Sequence, residues 1–196
     1  MKVLVACEYS GRVRNALRER GHNAYSCDLL PAEDGETIFH IQDSLEHVLG
    51  KRFAVWDMII AHPPCTYLCN SGVRWLHTEP GRCEKMVEAA EFFRWILELP
   101  IDRIAVENPV MHGYAREIVG RGPDFTVQPW QFGDPAKKRT CFWTKGLPPL
   151  KPTSDMTAAN ARADCHLASP GPDRWKERSR TYPGLAKAMA EQWTHE

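Results

Sequence analysis

Residues 55–72 read VWDMIIAHPPCTYLCNSG, and this stretch decides the fold. Four apolar residues, Met58 to Ala61, follow Asp57 and stop at His62-Pro63-Pro64-Cys65. A short apolar run closed by two prolines predicts a buried strand feeding a loop. The loop leaves the strand stiffly, because each proline fixes its own φ at about −65° and neither donates to a sheet ladder. Cys65 takes the first position after the prolines. In an open α/β sheet, ligands bind at the carboxyl ends of the strands. Cys65 is therefore a candidate nucleophile. A buried structural thiol is the alternative, since free cysteines commonly behave as small hydrophobes.

Towards the N-terminus, KVLVAC (2–7) is a second apolar run, followed by a turn at Glu8-Tyr9-Ser10-Gly11. Residues 12–20 carry Val13, Ala16 and Leu17 at helical spacing, with Ser10 as the expected N-cap and Gly21 as the stop. A short strand from Ala24 to Cys27 ends at Asp28. In such a unit the helix N-terminus can meet a polar or anionic group, and the acid can accept hydrogen bonds from a ribose. The loop holds one glycine, not the three of the dinucleotide fingerprint, so an ordinary turn with a solvated Asp28 stays open. Residues 37–41 read as a third short strand, and Asp43 either caps the short helix ending at Leu49 or touches a ligand.

Towards the C-terminus, residues 70–82 show no clean period around Trp75 and read as a lid over substrate or a plain surface connection. A long amphipathic helix over 83–98 turns Met86, Val87, Ala90, Phe93, Ile96 and Leu97 inward. RIAV (103–106) is another buried strand, and Glu107-Asn108-Pro109 stands at its end. A helix is expected over 111–121, then an antiparallel strand pair over 125–132 and 139–144. Arg139, where the second strand resumes, is a candidate for an inward, bidentate role. Residues 146–181 are proline-rich and irregular, with Trp175 among Arg174, Lys176, Arg178 and Arg180. Aromatic and basic residues together suit single-stranded nucleic acid, and a solvated loop explains them equally. A helix over 184–194 closes the chain.

The 196 residues suit one domain, and their 43% hydrophobic and 26% charged content is that of a globular chain. A net charge of zero argues against strong non-specific nucleic-acid binding, although a local basic patch can hide in a neutral total. No apolar run approaches the ~20 residues of a membrane span and the N-terminus lacks a signal-peptide layout, so the expected location is the cytoplasm. Seven cysteines without regular spacing read as reduced thiols. His62, Cys65, Cys69, His77 and Cys83 lie close in sequence but lack paired Cys-x-x-Cys spacing, and no metal is expected.

Four stations in order resemble the cytosine-C5 DNA methyltransferase family. Ser10-Gly11 resembles its cofactor loop. Pro63-Pro64-Cys65 resembles its proline-cysteine nucleophile motif, and Glu107-Asn108-Pro109 its Glu-Asn-Val motif. Phe132-Gly133-Asp134-Pro135 through Arg139 resembles its Gly-x-Pro-x-x-Arg region, and 181–193 is similar to its last motif and helix. The resemblance spans roughly 1–144 and the C-terminal end. It departs in the single glycine of the first loop, in Asn108-Pro109, and in Lys137-Lys138. Only 145–180 stands where the family carries a target-recognition domain.

The resemblance implies a single Rossmann-like class I S-adenosylmethionine-dependent methyltransferase domain over 1–196. Its sheet would be mostly parallel, with an antiparallel hairpin at one edge and an irregular insertion at 145–180. It implies methyl transfer to C5 of cytosine in DNA through a covalent adduct of Cys65 with C6. Glu107 and Arg139 would act beside Cys65. S-adenosylmethionine would be held by Glu8, Ser10, Gly11, Asp28, Asp43 and Pro63. The short insertion suits a compact, phage-like member, with a partner protein or an oligomer supplying target recognition. It suits equally an enzyme acting on a free cytosine nucleotide. A non-catalytic nucleic-acid-binding module of the same fold is the third reading.

Overall fold

The apolar runs pair into one sheet. The computed structural model describes residues 1–50, 55–163, 171 and 174–195. The strands are β1 (Lys2–Ala6), β2 (Asn23–Asp28), β3 (His40–Gln42), β4 (Met58–Ala61), β5 (Ile104–Asn108), β6 (Phe125–Val127) and β7 (Thr140–Lys145), and their order across the sheet is β3-β2-β1-β4-β5-β7-β6. The five strands from β3 to β5 run parallel, while β7 is antiparallel to both β5 and β6. The fold is the expected mostly parallel α/β sheet with an antiparallel edge. Chain order reverses between β1 and β4, which opens a crevice at their carboxyl ends.

Both faces of the sheet are covered, which is why the strands read as unbroken apolar runs. Leu4, Ala6, Ile59, Ala61, Ile104 and Val106 face α2 (Leu45–Leu49), α3 (Arg82–Glu98) and α4 (Gly113–Val119). Val3, Val5, Met58, Ile60 and Ala105 face α1 (Arg12–Glu19) and the C-terminal helix Pro183–Gln192. That helix is α6; α5 is Arg174–Ser179.

Local chemistry moves several expected boundaries. Ser10 does not cap α1. The N-cap is Gly11, at φ 69°, and the Glu8 carboxylate accepts the N–H groups of Val13 (2.6 Å) and Arg14 (3.2 Å). A Cβ at Gly11 would run into the Arg14 guanidinium. The strand expected over 125–132 stops at Val127 and becomes a 3₁₀ turn, Pro129–Phe132, because Pro129 has no N–H for a ladder. Residues Asn70–His77 form 3₁₀ turns. Within 145–180, residues after β7 run irregularly along α6, held by paired bonds between the Lys151 backbone and the Gln192 amide. Residues 164–170 and 172–173 of that stretch lie outside the described residues. Among the described residues, no helix is long and apolar enough to cross a membrane.

Candidate active site

The loop after β4 is built as the two prolines require, and it is then locked to the loop after β5. His62 N–H still donates to Ala6 C=O (2.9 Å), so the chain leaves the sheet only at Pro63. The Cys65 carbonyl accepts the N–H groups of Leu68 and Cys69, both at 3.0 Å, which winds one helical turn. Leu68 is fully buried and anchors that turn. Asn70 N–H donates to Val110 C=O (2.8 Å), His112 N–H donates to Leu68 C=O (3.0 Å), and His112 Nε2 lies 2.9 Å from Tyr67 C=O. The cysteine turn and the Glu107-Asn108-Pro109 exit are thereby held side by side.

Beside the Glu107-Asn108-Pro109 exit lies a small cleft lined by His62, Glu107, Lys138, Thr140, Thr181, Tyr182, Leu185 and Met189. His62 Nδ1 is 3.1 Å from Glu107 Oε2. Burial alone would raise Glu107, but the hydrogen bond from His62 and the charges of Lys138 and His62 hold its carboxyl below the ordinary value. Glu107 Oε1, His62 Nε2 and both amide atoms of Asn108 are buried without a hydrogen-bond partner. Thr181 and Tyr182 help cover the cleft, whose volume is about 10 Å³, roughly the room of one water. The cover is pinned: Lys138 Nζ donates to Arg178 C=O (2.7 Å) and Arg12 donates to Thr181 C=O (2.8 Å). Arg180 pairs with Glu33.

Cys65 is half-buried beside this cleft. Its thiol is pushed up by its hydrogen bond to Cys69, by burial and by the Glu107 charge, while Lys138 pulls it down. Cys69 is drawn well below the ordinary thiol value by the same bond from Cys65 and by Ser71, whose Oγ is 3.1 Å from its Sγ.

On the other side of the cysteine turn is a cavity of about 460 Å³, lined by Cys7, Asp28, Asp43, Pro64, Tyr67 and Phe92 among others. That is the size of a nucleoside-scale ligand site. Two carboxylates stand at strand ends, and apolar walls face them. Burial raises the Asp28 carboxyl, which accepts the Leu30 N–H (2.9 Å). Asp43 Oδ1 accepts the Ser44 N–H (2.7 Å), and Oδ2 lies 2.6 Å from His47 Nδ1. Cys7 is held at φ 56°, a left-handed position unusual for a residue with a Cβ.

The structure brings Cys65 and Glu107 together and places Asp28 and Asp43 on one cavity. It separates other candidates from these groups. Arg139 is exposed, and its neighbour Lys138 takes the inward place. Pro63 is buried, and Pro64 lines the cavity instead. Glu8, Ser10 and Gly11 do not line it, and Glu8 is occupied by the helix N–H groups. Sequence reasoning missed His62, Lys138, Cys7 and Phe92. His62 carried a usable signal, since it precedes the prolines at the same strand end; Phe92 carried none, lying beside the inward Phe93.

No family model matches the chain, and no curated protein does either. Among solved structures it is similar to an E. coli prophage-encoded protein described as a candidate DNA modification methyltransferase. The identity is 18% and the TM-score 0.49, covering 74% of this chain and 46% of that one. It is also similar to the Entamoeba histolytica methyltransferase EhMeth, at 14% identity and a TM-score of 0.52, covering 82% of this chain and 59% of that one. The likeness is one of fold. The chain spans roughly half the length of these two structures.

Proposed function

We propose that this chain is an S-adenosylmethionine-dependent methyltransferase that modifies C5 of cytosine in DNA, with Cys65 as covalent nucleophile. One observation carries the reading. The loop after β4 is a shared wall, with Pro64 and Tyr67 on the nucleoside-sized cavity and His62 on the cleft that holds Glu107. Asp28 and Asp43 would hold the ribose and adenine of the cofactor, with Tyr67 and Phe92 as apolar walls. When bound, S-adenosylmethionine supplies an electrophilic methyl group on a sulfonium.

The chain's own residues then do the following. Cys65 passes its proton to Cys69, and its thiolate adds to C6 of the pyrimidine. That bond turns C5 into an enamine carbon able to take a methyl group. Glu107, protonated for this step, donates to the ring nitrogen and accepts from the exocyclic amine as charge moves onto the ring, where stabilisation counts towards rate. Loss of the C5 proton to a base and cleavage of the sulfur–C6 bond restore the ring and the thiolate. A duplex base would have to flip out, and the Thr181–Tyr182 cover would have to withdraw.

A free cytosine nucleotide is the second reading. It is favoured by residues 146–163, which are tied to α6 and Gln131. Incubation with labelled S-adenosylmethionine and either DNA or dCMP, followed by nucleoside mass spectrometry, separates the readings. The proposal expects 5-methylcytosine in DNA, abolished by Cys65→Ser with cofactor binding retained. Label on dCMP alone moves the reading to the nucleotide. Transfer at the native rate by Cys65→Ser ends the covalent mechanism.

A further inference from the structure

Four residues beyond Cys65, on the same turn, stands a second thiol. Cys69 N–H donates to Cys65 C=O (3.0 Å), the bond of a helical i, i+4 pair. Such a pair lies about 6 Å apart at Cα, with both side chains on one face. A disulfide spans about 4.4–6.8 Å at Cα. The backbone therefore lets the two sulfurs meet, and the hydrogen bond between the thiols brings them together. Both residues are partly exposed. The turn is also held from outside. Cys69 bridges to Met111, and Asn70 N–H donates to Val110 C=O (2.8 Å), so the loop after β5 fixes the spacing as well.

The two thiols differ in character. Cys65 is pushed up by its bond to Cys69, by burial and by the Glu107 charge. Cys69 is drawn down by the same bond and by Ser71, whose Oγ is 3.1 Å from its Sγ. The thiolate, not the thiol, is the nucleophile. Burial pushes Cys7, Cys27 and Cys141 up, away from reactivity. Cys83 is exposed but has no cysteine within four positions on either side. An accessible thiol held towards its anion, beside a second thiol that can resolve it, is the arrangement of a reversible redox site.

We infer that Cys69 is a site of reversible oxidation by hydroperoxides and that Cys65 resolves it as a disulfide. The Cys69 thiolate attacks the terminal peroxide oxygen. A sulfur–oxygen bond forms as the oxygen–oxygen bond breaks, and the other oxygen takes a proton and leaves as water or an alcohol. Cys65 then gives up its proton, and its sulfur displaces the sulfenic oxygen, which leaves as water. The peroxide gains the two electrons that the two thiols lose. A dithiol reductant reverses the bridge by exchange. While it stands, Cys65 has no thiolate to offer and methyl transfer stops; that consequence alone rests on the cytosine reading given above.

The test uses the full chain, reduced, freed of reductant and treated near neutral pH with a small excess of hydrogen peroxide. Free thiols are alkylated before tryptic digestion. Arg52 and Arg74 place both cysteines on one peptide, 53–74. That peptide should escape alkylation and run lighter by two hydrogens, and dithiothreitol should restore both thiols, while Cys83 stays free. Transfer should fall in proportion to the bridged fraction and return with the reductant. In Cys65→Ser, which lacks the resolving thiol, dimedone should be found on Cys69. In Cys69→Ser, burial and the Glu107 charge still hold the Cys65 thiol up, so its capture by dimedone should be slower by about tenfold or more. A peptide 53–74 that keeps both thiols while Cys83 is oxidised overturns the inference. Capture of Cys65 in Cys69→Ser as fast as of Cys69 in Cys65→Ser overturns it as well. A reversible bridge in a protein whose transfer is undiminished supports the redox site and overturns the covalent role of Cys65.

Discussion

Replacing Glu8 should test whether this residue builds α1 or binds cofactor. Glu8 is 4% exposed and accepts two backbone N–H groups at the start of the helix, at 2.6 and 3.2 Å. Glu8→Ala removes both acceptors and strands two donors at a buried helix end. Lost caps cost about 0.5–2 kcal/mol and stranded donors about 1–3 kcal/mol each. Part of this is offset because the variant no longer buries a carboxylate. A net loss of about 2–4 kcal/mol is expected. At about 2–4 °C per kcal/mol for a chain of this size, Tm should fall by about 5–15 °C. Glu8→Gln keeps one acceptor oxygen and should lose about 1–2 kcal/mol.

The pH dependence supplies the sharper check. Burial raises the Glu8 carboxyl above its ordinary value, although His62, the helix N–H groups and Arg14 pull it down. Its folded pKa is therefore above its unfolded one. Its contribution is complete below the unfolded value and declines as pH rises through the folded value. Urea unfolding from pH 4 to 8 should show the wild type's advantage over Glu8→Gln shrinking as pH rises. An advantage that grows with pH would refute the burial argument. Weakened cofactor binding by Glu8→Gln at unchanged stability would return Glu8 to the cofactor site.

Three further outcomes are expected. Brief iodoacetamide treatment at neutral pH should label Cys69 before Cys65, because hydrogen bonds from Cys65 and Ser71 draw the Cys69 thiol down while the same bond and burial push Cys65 up; peptide mapping showing Cys65 labelled first contradicts this. Asp28→Asn should weaken S-adenosylhomocysteine binding by roughly tenfold or more, read by calorimetry, as charged hydrogen bonds are worth about 1.5–3 kcal/mol; an unchanged affinity removes Asp28 from the cofactor site. Lys138→Ala should lower methyl transfer by about tenfold and more than Arg139→Ala does, because Lys138 stands by Glu107 and Cys65; the reverse order would restore Arg139 as the acting cation.

Much of the sheet was legible because its strands announce themselves locally. Met58–Ala61 is apolar throughout and runs through His62 into two prolines, while Ile104–Asn108 opens with three apolar residues, Ile104 to Val106, and ends before Pro109. Position at the end of such a strand is enough to bring Cys65 and Glu107 into one region, since parallel strands deliver their carboxyl ends to the same edge. The inward face of α1 was less legible. Val13 and Leu17 follow the helical period, but Arg14 is also fully buried, satisfied by Ser26 Oγ (2.8 Å) and Asp34. A charge at that position reads as solvent-facing until its partners, from a strand and a loop, are in view.

The amino-acid order by itself determined the strand ends, the prolines that stiffen two of them, and the residue types gathered there. Only the tertiary structure decided which neighbour points inward. Consecutive extended residues face opposite ways, so a change of one residue in register exchanges Lys138 for Arg139. That register is set by β7 lying antiparallel on β5, with Glu107 opposite Phe142. The partnership of His62 with Glu107 was hidden for the same reason: it joins two strand ends 45 positions apart, and only sheet pairing brings them within a hydrogen bond.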